Sequence, residues 1–442
     1  MTGLHRRCRL RTHAMRNLAS RRLWGRVVWG MVLVFVAASV GNCRGRGEVP
    51  KVLRVWAMGK EGEYLAATVH GTIVAGCRVE VQRLPWSAAH EKLLTAFVAG
   101  TLPDVIQLGS TWVPEFAAVG AIACGEVSDW RERDLFPGAL DTVMIDGRMC
   151  AVPWYVDTRV LFYRRDLLER AGFQQPPRTW QEWRQAMQKV RELGAGHYGL
   201  LAPLDEWQLL VALALQVGAS LLRENETRGN FQSEPFRRAF SFYVSLFRDG
   251  LAPFTGEAQV ANVYQDFAAG LFTFYVTGPW NLGEFRRRLP PELQESWATA
   301  LLPVPDPALP SVSVMGGASL AVVRSSAHPE AARELIAALL QPDEQVRFYR
   351  TTGDLPVLRT AWEDPGLQTD SRLTAFRLQL ENARPTPKVP EWERIAGLIV
   401  QYTELVVRER LSAEAALARL DAEADRVLEK RRWLLQRTQA AE

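Results

Sequence analysis

Short stretches of alternating apolar and polar residues recur along the chain and are separated by stretches with helical periodicity. Residues 52–57 place an apolar side chain at every second position, and residues 78–82 do so in the opposite sense. Helical stretches such as residues 91–98 lie between and after these segments. Strands that alternate with helices predict an α/β protein built on a parallel sheet with crossover helices.

Three further segments carry recognisable helix signals. Thr179 and Glu182 have the spacing of a capping box, which predicts a helix that begins after Thr179. Residues 325–341 place apolar residues on one face, and we interpret Pro342 as the end of that helix. Ser412 is a predicted N-cap for a helix whose apolar stripe is typical of core packing; it consists of Leu417, Leu420, Ala424, Val427 and Leu428.

The first 47 residues indicate an export signal. They contain ten arginines and no acidic residue, and residues 27–40 are apolar except for Gly30 and Ser39. Fourteen residues suit the hydrophobic core of a secretory signal better than a membrane-spanning helix. The run ends in Val40-Gly41-Asn42-Cys43, which resembles a bacterial lipobox. This resemblance implies that residues 1–42 are a signal peptide of the lipoprotein type, with Cys43 as the lipidated residue. An uncleaved anchor or ordinary signal cleavage is the alternative, and translation from Met15 is a second open question.

Net charge and cysteine content exclude some classes of function. The chain carries 53 basic and 49 acidic residues, but without the eight arginines of residues 1–42 the net charge changes from +4 to −4, so nothing indicates nucleic-acid binding. Of the cysteines after Cys43, only one pair among Cys77, Cys124 and Cys150 can form an intrachain disulfide, and the sequence does not say which. The absence of a CxxC motif gives no support to a metal or redox site, and we expect no cofactor.

About 400 residues after the signal are too many for one compact core and suit two lobes. No internal repeat or low-complexity linker follows Gly47, so crossing strands rather than a flexible tether are expected to join the lobes.

Several short motifs occur in an order that is similar to one family. The sequence resembles the family 1 extracellular solute-binding proteins, the maltose-binding-protein-like lipoproteins of sugar-type ABC importers. The motifs that carry this resemblance are residues 100–106 (GTLPDVI), 152–157 (VPWYVD), 161–168 (LFYRRDLL), 277–281 (TGPWN), 314–319 (VMGGAS), 327–332 (AHPEAA) and 353–356 (GDLP).

The resemblance implies a two-lobed periplasmic-binding-protein fold, each lobe a mainly parallel sheet flanked by helices. Residues 48–155 with 314–360 are expected to form the first lobe, and residues 156–313 with 361–442 the second. Such a protein would be an exported, lipid-anchored monomer facing the periplasm or the cell exterior. It would capture a mono- or oligosaccharide by hinge closure, without turnover, and deliver it to ABC permease subunits.

A sugar needs flat apolar partners for its C–H faces and polar partners for its hydroxyl groups, because each buried unpaired hydroxyl costs about 1–3 kcal/mol. The expected ligand-binding residues are Trp112, Asp104, Trp154, Tyr155, Asp157, Trp207, Trp280, Gly316 and Arg384. A local cap, or a salt bridge with Arg159 or another cation, is the alternative role for Asp157, and Arg384 is nearly as well explained as a surface residue. Trp180 and Trp183 are interpreted as packing residues, and Glu115 as a solvated position.

The sequence is compatible with two other classes of function. The same fold could bind a non-sugar solute such as a glycerol phosphate, a polyamine or a metal complex, although clustered basic residues at helix starts or a larger set of acids would then be expected. A secreted glycosidase is the less favoured alternative, since carboxylate pairs cannot be recognised without distances and the sequence has no GxSxG, HExxH or P-loop motif.

Overall fold

The computed structural model describes residues 51–125, 134–194, 196–255 and 262–439. The predicted signal peptide and Cys43 lie outside these residues. The strands, in chain order, are β1 (Lys51–Met58), β2 (Ile73–Val74), β3 (Cys77–Leu84), β4 (Val105–Gly109), β5 (Met144–Ile145), β6 (Arg148–Met149), β7 (Val152–Thr158), β8 (Val160–Arg164), β9 (Tyr198–Leu201), β10 (Leu222–Arg223), β11 (Arg228–Gly229), β12 (Phe272–Thr277), β13 (Trp297–Ala300), β14 (Ser313–Val322), β15 (Leu355–Pro356) and β16 (Ala383–Arg384).

Two mixed sheets organise the fold. The first has the order β15-β7-β14-β4-β1-β3-β2, with β16 paired to β14, and the second has the order β13-β8-β12-β9. The predicted parallel pairing holds for β1 with β3 and β4, and for β12 with β9. The remaining pairs in these sheets, except β14 with β16, are antiparallel. In the first sheet, β14 returns between β4 and β7 and runs antiparallel to both. The result is a two-lobed, mixed α/β fold.

Helices cover the sheets and fill the connections. In chain order they are α1 (Gly59–Thr68), α2 (Trp86–Val98), α3 (Val113–Ala118), α4 (Pro137–Val143), α5 (Arg165–Arg170), α6 (Trp180–Arg191), α7 (Gln208–Gln216), α8 (Glu234–Arg248), α9 (Val263–Ala269), α10 (Trp280–Arg288), α11 (Pro329–Leu339), α12 (Pro342–Thr352), α13 (Pro365–Thr369), α14 (Ser371–Glu381), α15 (Trp392–Val407), α16 (Ala413–Val427) and α17 (Glu429–Gln439), with short 3₁₀ turns at Pro291–Leu293 and Arg359–Glu363. Within the described ranges, no helix combines the length and the apolar character needed to cross a bilayer.

Local helix signals were mostly confirmed. Thr179 and Glu182 form the complete capping box at the start of α6, and the Ser412 hydroxyl accepts the amide of Ala415 at the start of α16. Pro342 differs from its prediction, because it occupies the first turn of α12 rather than only ending α11. A proline fits that position since its missing N–H has no partner in a first helical turn.

The chain passes between the two sheets at two places. Arg159 is the single residue between β7 of the first sheet and β8 of the second. The return passage leads from β13 to β14, and it brings Ser313 back to the first sheet. The lobe boundaries given above stay a prediction.

One disulfide joins Cys124 to Cys150, while the thiol of Cys77 is free and buried. The bond therefore links the segment after α3 to the residues immediately before β7. This identifies the pair that the sequence left open.

Candidate functional site

A cavity of about 690 Å³ lies where the carboxyl ends of three strands meet. Gly59 follows β1, Ser110 follows β4, and Trp280 comes shortly after β12. The carboxyl ends of strands in α/β sheets are where such folds bind ligands. The cavity is lined by Gly59, Lys60, Glu61, Trp86, Gly109, Ser110, Thr111, Trp112, Tyr155, Asp157, Arg159, Trp207, Gln208, Trp280, Glu284, Val314, Met315, Gly316, Gly317, Thr352 and Asp354.

An aromatic wall forms one side of the cavity. The rings of Trp86 and Trp112 meet edge to face with centroids 5.6 Å apart, and Trp86 is 36% exposed. His90 supports the Trp112 ring at 5.0 Å, and its Nε2 lies 2.7 Å from Oε2 of Glu115. The hydrogen bond to Glu115 raises the pKa of His90. Glu115 is therefore a partner of His90 rather than the freely solvated residue that we expected.

Trp280 presents a second aromatic surface to the cavity. Its side chain is 37% exposed, and the Arg159 guanidinium carbon lies 4.6 Å from its ring centroid. A Cβ at Gly278 would lie 2.0 Å from the Trp280 ring, so only glycine leaves room for this arrangement. Trp207 is half-buried and rests edge to face on Trp392, with centroids 5.3 Å apart.

Two carboxyl groups lie on the cavity wall beside the Tyr155 ring. Glu61 is 5% exposed, and its Oε1 accepts a 2.6 Å hydrogen bond from the Tyr155 hydroxyl. Burial raises the pKa of Glu61. Burial, together with the nearby charge of Glu61, raises the pKa of Asp354 to about 8. At neutral pH this wall therefore holds a proton that two exposed carboxylates would have released.

Asp157 and Arg159 form an ion pair inside the cavity. Nη1 of Arg159 donates to Oδ1 of Asp157 at 2.8 Å. The carboxylate lies against Gly316, where a Cβ would be 2.2 Å from Oδ1. Gly316 is therefore required by close packing, and the local ion pair considered for Asp157 is present.

A second ion pair crosses from α1 to α10. Nζ of Lys60 lies 3.2 Å from Oε1 of Glu284. Burial alone would raise the pKa of Glu284, but hydrogen bonds from Lys60, Arg288 and Arg287 hold it below its usual value.

Six of the nine residues expected to bind ligand line this cavity. They are Trp112, Tyr155, Asp157, Trp207, Trp280 and Gly316. Their contact with a ligand stays a prediction.

The other three were placed wrongly. Asp104 lies at the amino end of β4, away from the cavity, where it accepts the Arg54 amide at 2.8 Å and the Ser326 hydroxyl at 2.6 Å. Trp154 is 1% exposed and packs on Phe348. It lies where the register between β7 and β14 shifts, and only the adjacent Tyr155 reaches the cavity lining.

Arg384 is the third correction. In β16 the side chain of Ala383 is buried, so that of Arg384 points the other way and is exposed, outside the cavity lining.

Several lining residues escaped the sequence reasoning. Lys60 and Glu61 directly follow the carboxyl end of β1, which is the position that the strand-end rule would have selected. Asp354 belongs to the motif of residues 353–356, which contributed to the family resemblance but was not predicted to line the site. Trp86 begins α2 and carried no distinguishing local signal. Over the described ranges, no cluster of three or more His, Cys, Asp or Glu has metal-binding geometry.

Known proteins resemble this chain over most of its length. The model of the bacterial extracellular solute-binding protein family matches residues 75–346. The solved structure of the sugar-binding protein MalE from the phytopathogen Xanthomonas citri is 44% identical, with a TM-score of 0.81 over 87% of this chain and 99% of that one.

Two sequence relatives extend this likeness. A binding protein of Brucella abortus (strain 2308) is 26% identical over 365 residues, which are 80% of this chain and 87% of the relative. The diacetylchitobiose binding protein DasA of Streptomyces coelicolor is 23% identical over 386 residues, covering 84% of this chain and 88% of DasA.

Proposed function

Because the chain belongs to the bacterial extracellular solute-binding protein family, we propose that it captures a mono- or oligosaccharide for an ABC importer. Proteins of this family are extracellular binding proteins rather than enzymes. The MalE structure, which is described as that of a sugar-binding protein, and the name of DasA both support a carbohydrate ligand.

The observation that carries this proposal is the pairing of partly exposed indoles with carboxyl groups in one cavity. Trp86 and Trp280 can cover apolar faces of a sugar ring, while Asp157 and Glu61 can accept hydrogen bonds from its hydroxyl groups. The cavity volume falls within the range of about 300–1,000 Å³ that is usual for small-molecule sites.

Charge argues against the glycerol phosphate alternative. The bases Lys60 and Arg159 on the lining each pair with an acid, Glu284 and Asp157 respectively. The starts of α1 and α10 face the cavity, but a phosphate would have to displace these acids from the two cations. A neutral polyol avoids this cost.

Delivery and location complete the proposal. The loaded protein would transfer its sugar to permease subunits while a lipid on Cys43 holds it at the outer face of the cell membrane. Incorporation of labelled palmitate by the wild-type protein but not by Cys43→Ala tests the anchor; equal labelling of both would contradict it.

Calorimetry with a panel of mono- and oligosaccharides tests the ligand class. Trp280→Ala should weaken binding of the best sugar by about tenfold or more, because the ring loses its stacking surface. Trp180→Phe is the matched control, since Trp180 is buried and bonds Gln216 through its indole N–H.

Two outcomes would overturn parts of the proposal. No heat with any carbohydrate, combined with uptake of a phosphodiester or polyamine by the folded protein, would favour the other solute class. Equal losses of sugar affinity in the Trp280 and Trp180 variants would contradict the assignment of this cavity as the ligand site.

A further inference from the structure

Arg159 occupies the shortest connection between the two sheets, and its backbone is tied to the other crossing segment. Its amide donates to the Ser313 hydroxyl at 3.3 Å, and that hydroxyl donates to the Arg159 carbonyl at 3.0 Å. The neighbouring Thr158 hydroxyl donates to the Val314 carbonyl at 2.9 Å. The base of the Arg159 side chain is therefore fixed where the two passages of the chain meet.

The guanidinium of Arg159 contacts two groups on the cavity lining that come from different segments. It donates to Oδ1 of Asp157 on β7, and its central carbon lies over the Trp280 ring, which follows β12, at 4.6 Å from the ring centroid. The side chains of Arg159 and Asp157 are only 12% and 17% exposed. This pair is therefore less screened by water than an ordinary surface ion pair.

Each partner of Arg159 is also pressed against a glycine. Asp157 packs on Gly316 and Trp280 on Gly278, so neither partner has a neighbouring side chain on that side to define its position. A planar guanidinium can hydrogen-bond in its plane and stack through its face at once, which an ammonium group cannot do.

We propose that Arg159 is a positioning residue for ligand capture, which holds the Asp157 carboxylate and the Trp280 ring in one arrangement at the crossing between the sheets. This inference rests on the proposed sugar-binding function. In this role Arg159 does not contact the sugar itself. It aligns the polar partner, Asp157, with the aromatic partner, Trp280, so that a sugar can contact both at once.

Sugar affinity in Arg159 variants tests this role. Arg159→Met should raise the Kd of the best sugar by about tenfold or more, since both partners lose their common support. Arg159→Lys should lie between Arg159→Met and wild type, because it keeps the charge beside Asp157 but loses the planar stack. Arg359→Met, which removes an arginine that lies over the Phe136 ring and pairs with Glu381 outside the cavity lining, should bind like wild type.

Fluorine NMR of the unliganded protein labelled with 5-fluorotryptophan supplies a readout that general destabilisation would not reproduce. The Trp280 resonance, assigned by its loss in Trp280→Phe, should shift or broaden in Arg159→Met. The resonance of the buried Trp183, assigned with Trp183→Phe, should stay in place.

Three results would overturn the positioning role. These are an unchanged Trp280 resonance in Arg159→Met, equal losses of affinity in the Arg159→Met and Arg359→Met variants, and tighter binding by Arg159→Met, which would mean that the guanidinium occupies the place of the sugar. If the wild-type protein bound no sugar, the proposed function would fail, whereas the NMR measurement would still decide whether Arg159 orients Trp280.

Discussion

Glu61 and Asp354 illustrate how single buried residues give the cavity its character. Glu61 accepts the Tyr155 hydroxyl, yet burial still raises its pKa. Asp354 lies within the field of Glu61, and burial raises its pKa to about 8. A protonated carboxyl group can donate a hydrogen bond to a ligand, which a carboxylate cannot do.

The raised pKa of Asp354 predicts the direction of a pH effect on stability. Between about pH 4 and about pH 8 the native state keeps a proton that the unfolded chain has released, so this group lowers the free energy of unfolding as pH rises through that window. Asp354→Asn cannot titrate, and its stability should fall less over the same range. Urea unfolding of both proteins at several pH values measures the difference.

Glu61 is the appropriate comparison for this measurement. Its pKa is also raised, so Glu61→Gln should flatten the profile in the same sense. Parallel profiles for wild type and Asp354→Asn would contradict the protonated state of Asp354.

At the scale of elements, the sequence predicted the helix starts that depend on residues close together in the chain. The capping box of Thr179 and the N-cap of Ser412 both depend on contacts within a few positions of the chain. Each was predicted at the observed start of its helix.

Features set by distant partners could not be predicted in the same way. Trp154 and Tyr155 are adjacent in β7 and both contact Phe348, but the register shift between β7 and β14 leaves only Tyr155 on the cavity lining. The antiparallel return of β14 and the choice of cysteine pair depend likewise on segments far apart in sequence.

The Cys124–Cys150 disulfide should contribute measurably to stability. It closes a loop with a sequence separation of 26 residues, and a bridge of that span typically adds about 3 kcal/mol by restricting the unfolded chain. The double variant Cys124→Ser/Cys150→Ser should unfold at lower urea concentration. A reducing agent should bring the wild-type protein to the same midpoint and leave the double variant unchanged.

A variant at Cys77 is the control that distinguishes loss of the disulfide from a general effect of the reducing agent on thiols. Its thiol is free, so Cys77→Ala should keep the response to the reducing agent. A wild-type protein whose midpoint ignores the reducing agent would show that the bridge contributes little.

At the scale of the whole molecule, two polar bridges connect the sides of the cavity. Lys60 on α1 pairs with Glu284 on α10, and the Thr111 hydroxyl after β4 donates to Glu393 on α15. Helix α1 packs on β3 of the first sheet, whereas α10 follows β12 of the second and α15 packs on α8. Both bridges therefore oppose a hinge opening that would expose the aromatic wall.

Weakening both bridges should favour a more open protein before ligand binds. Pairs of this exposure contribute about 0.2–1 kcal/mol each, which is enough to change the balance between two arrangements of similar energy. The double variant Lys60→Met/Glu393→Gln should therefore have a larger radius of gyration by small-angle X-ray scattering without ligand, and saturating sugar should remove the difference. Arg350→Met is the matched control, because it breaks an ion pair with Asp364 that does not cross the cavity. An equal expansion in the control, or none in the double variant, would mean that the bridges do not hold the two sides together.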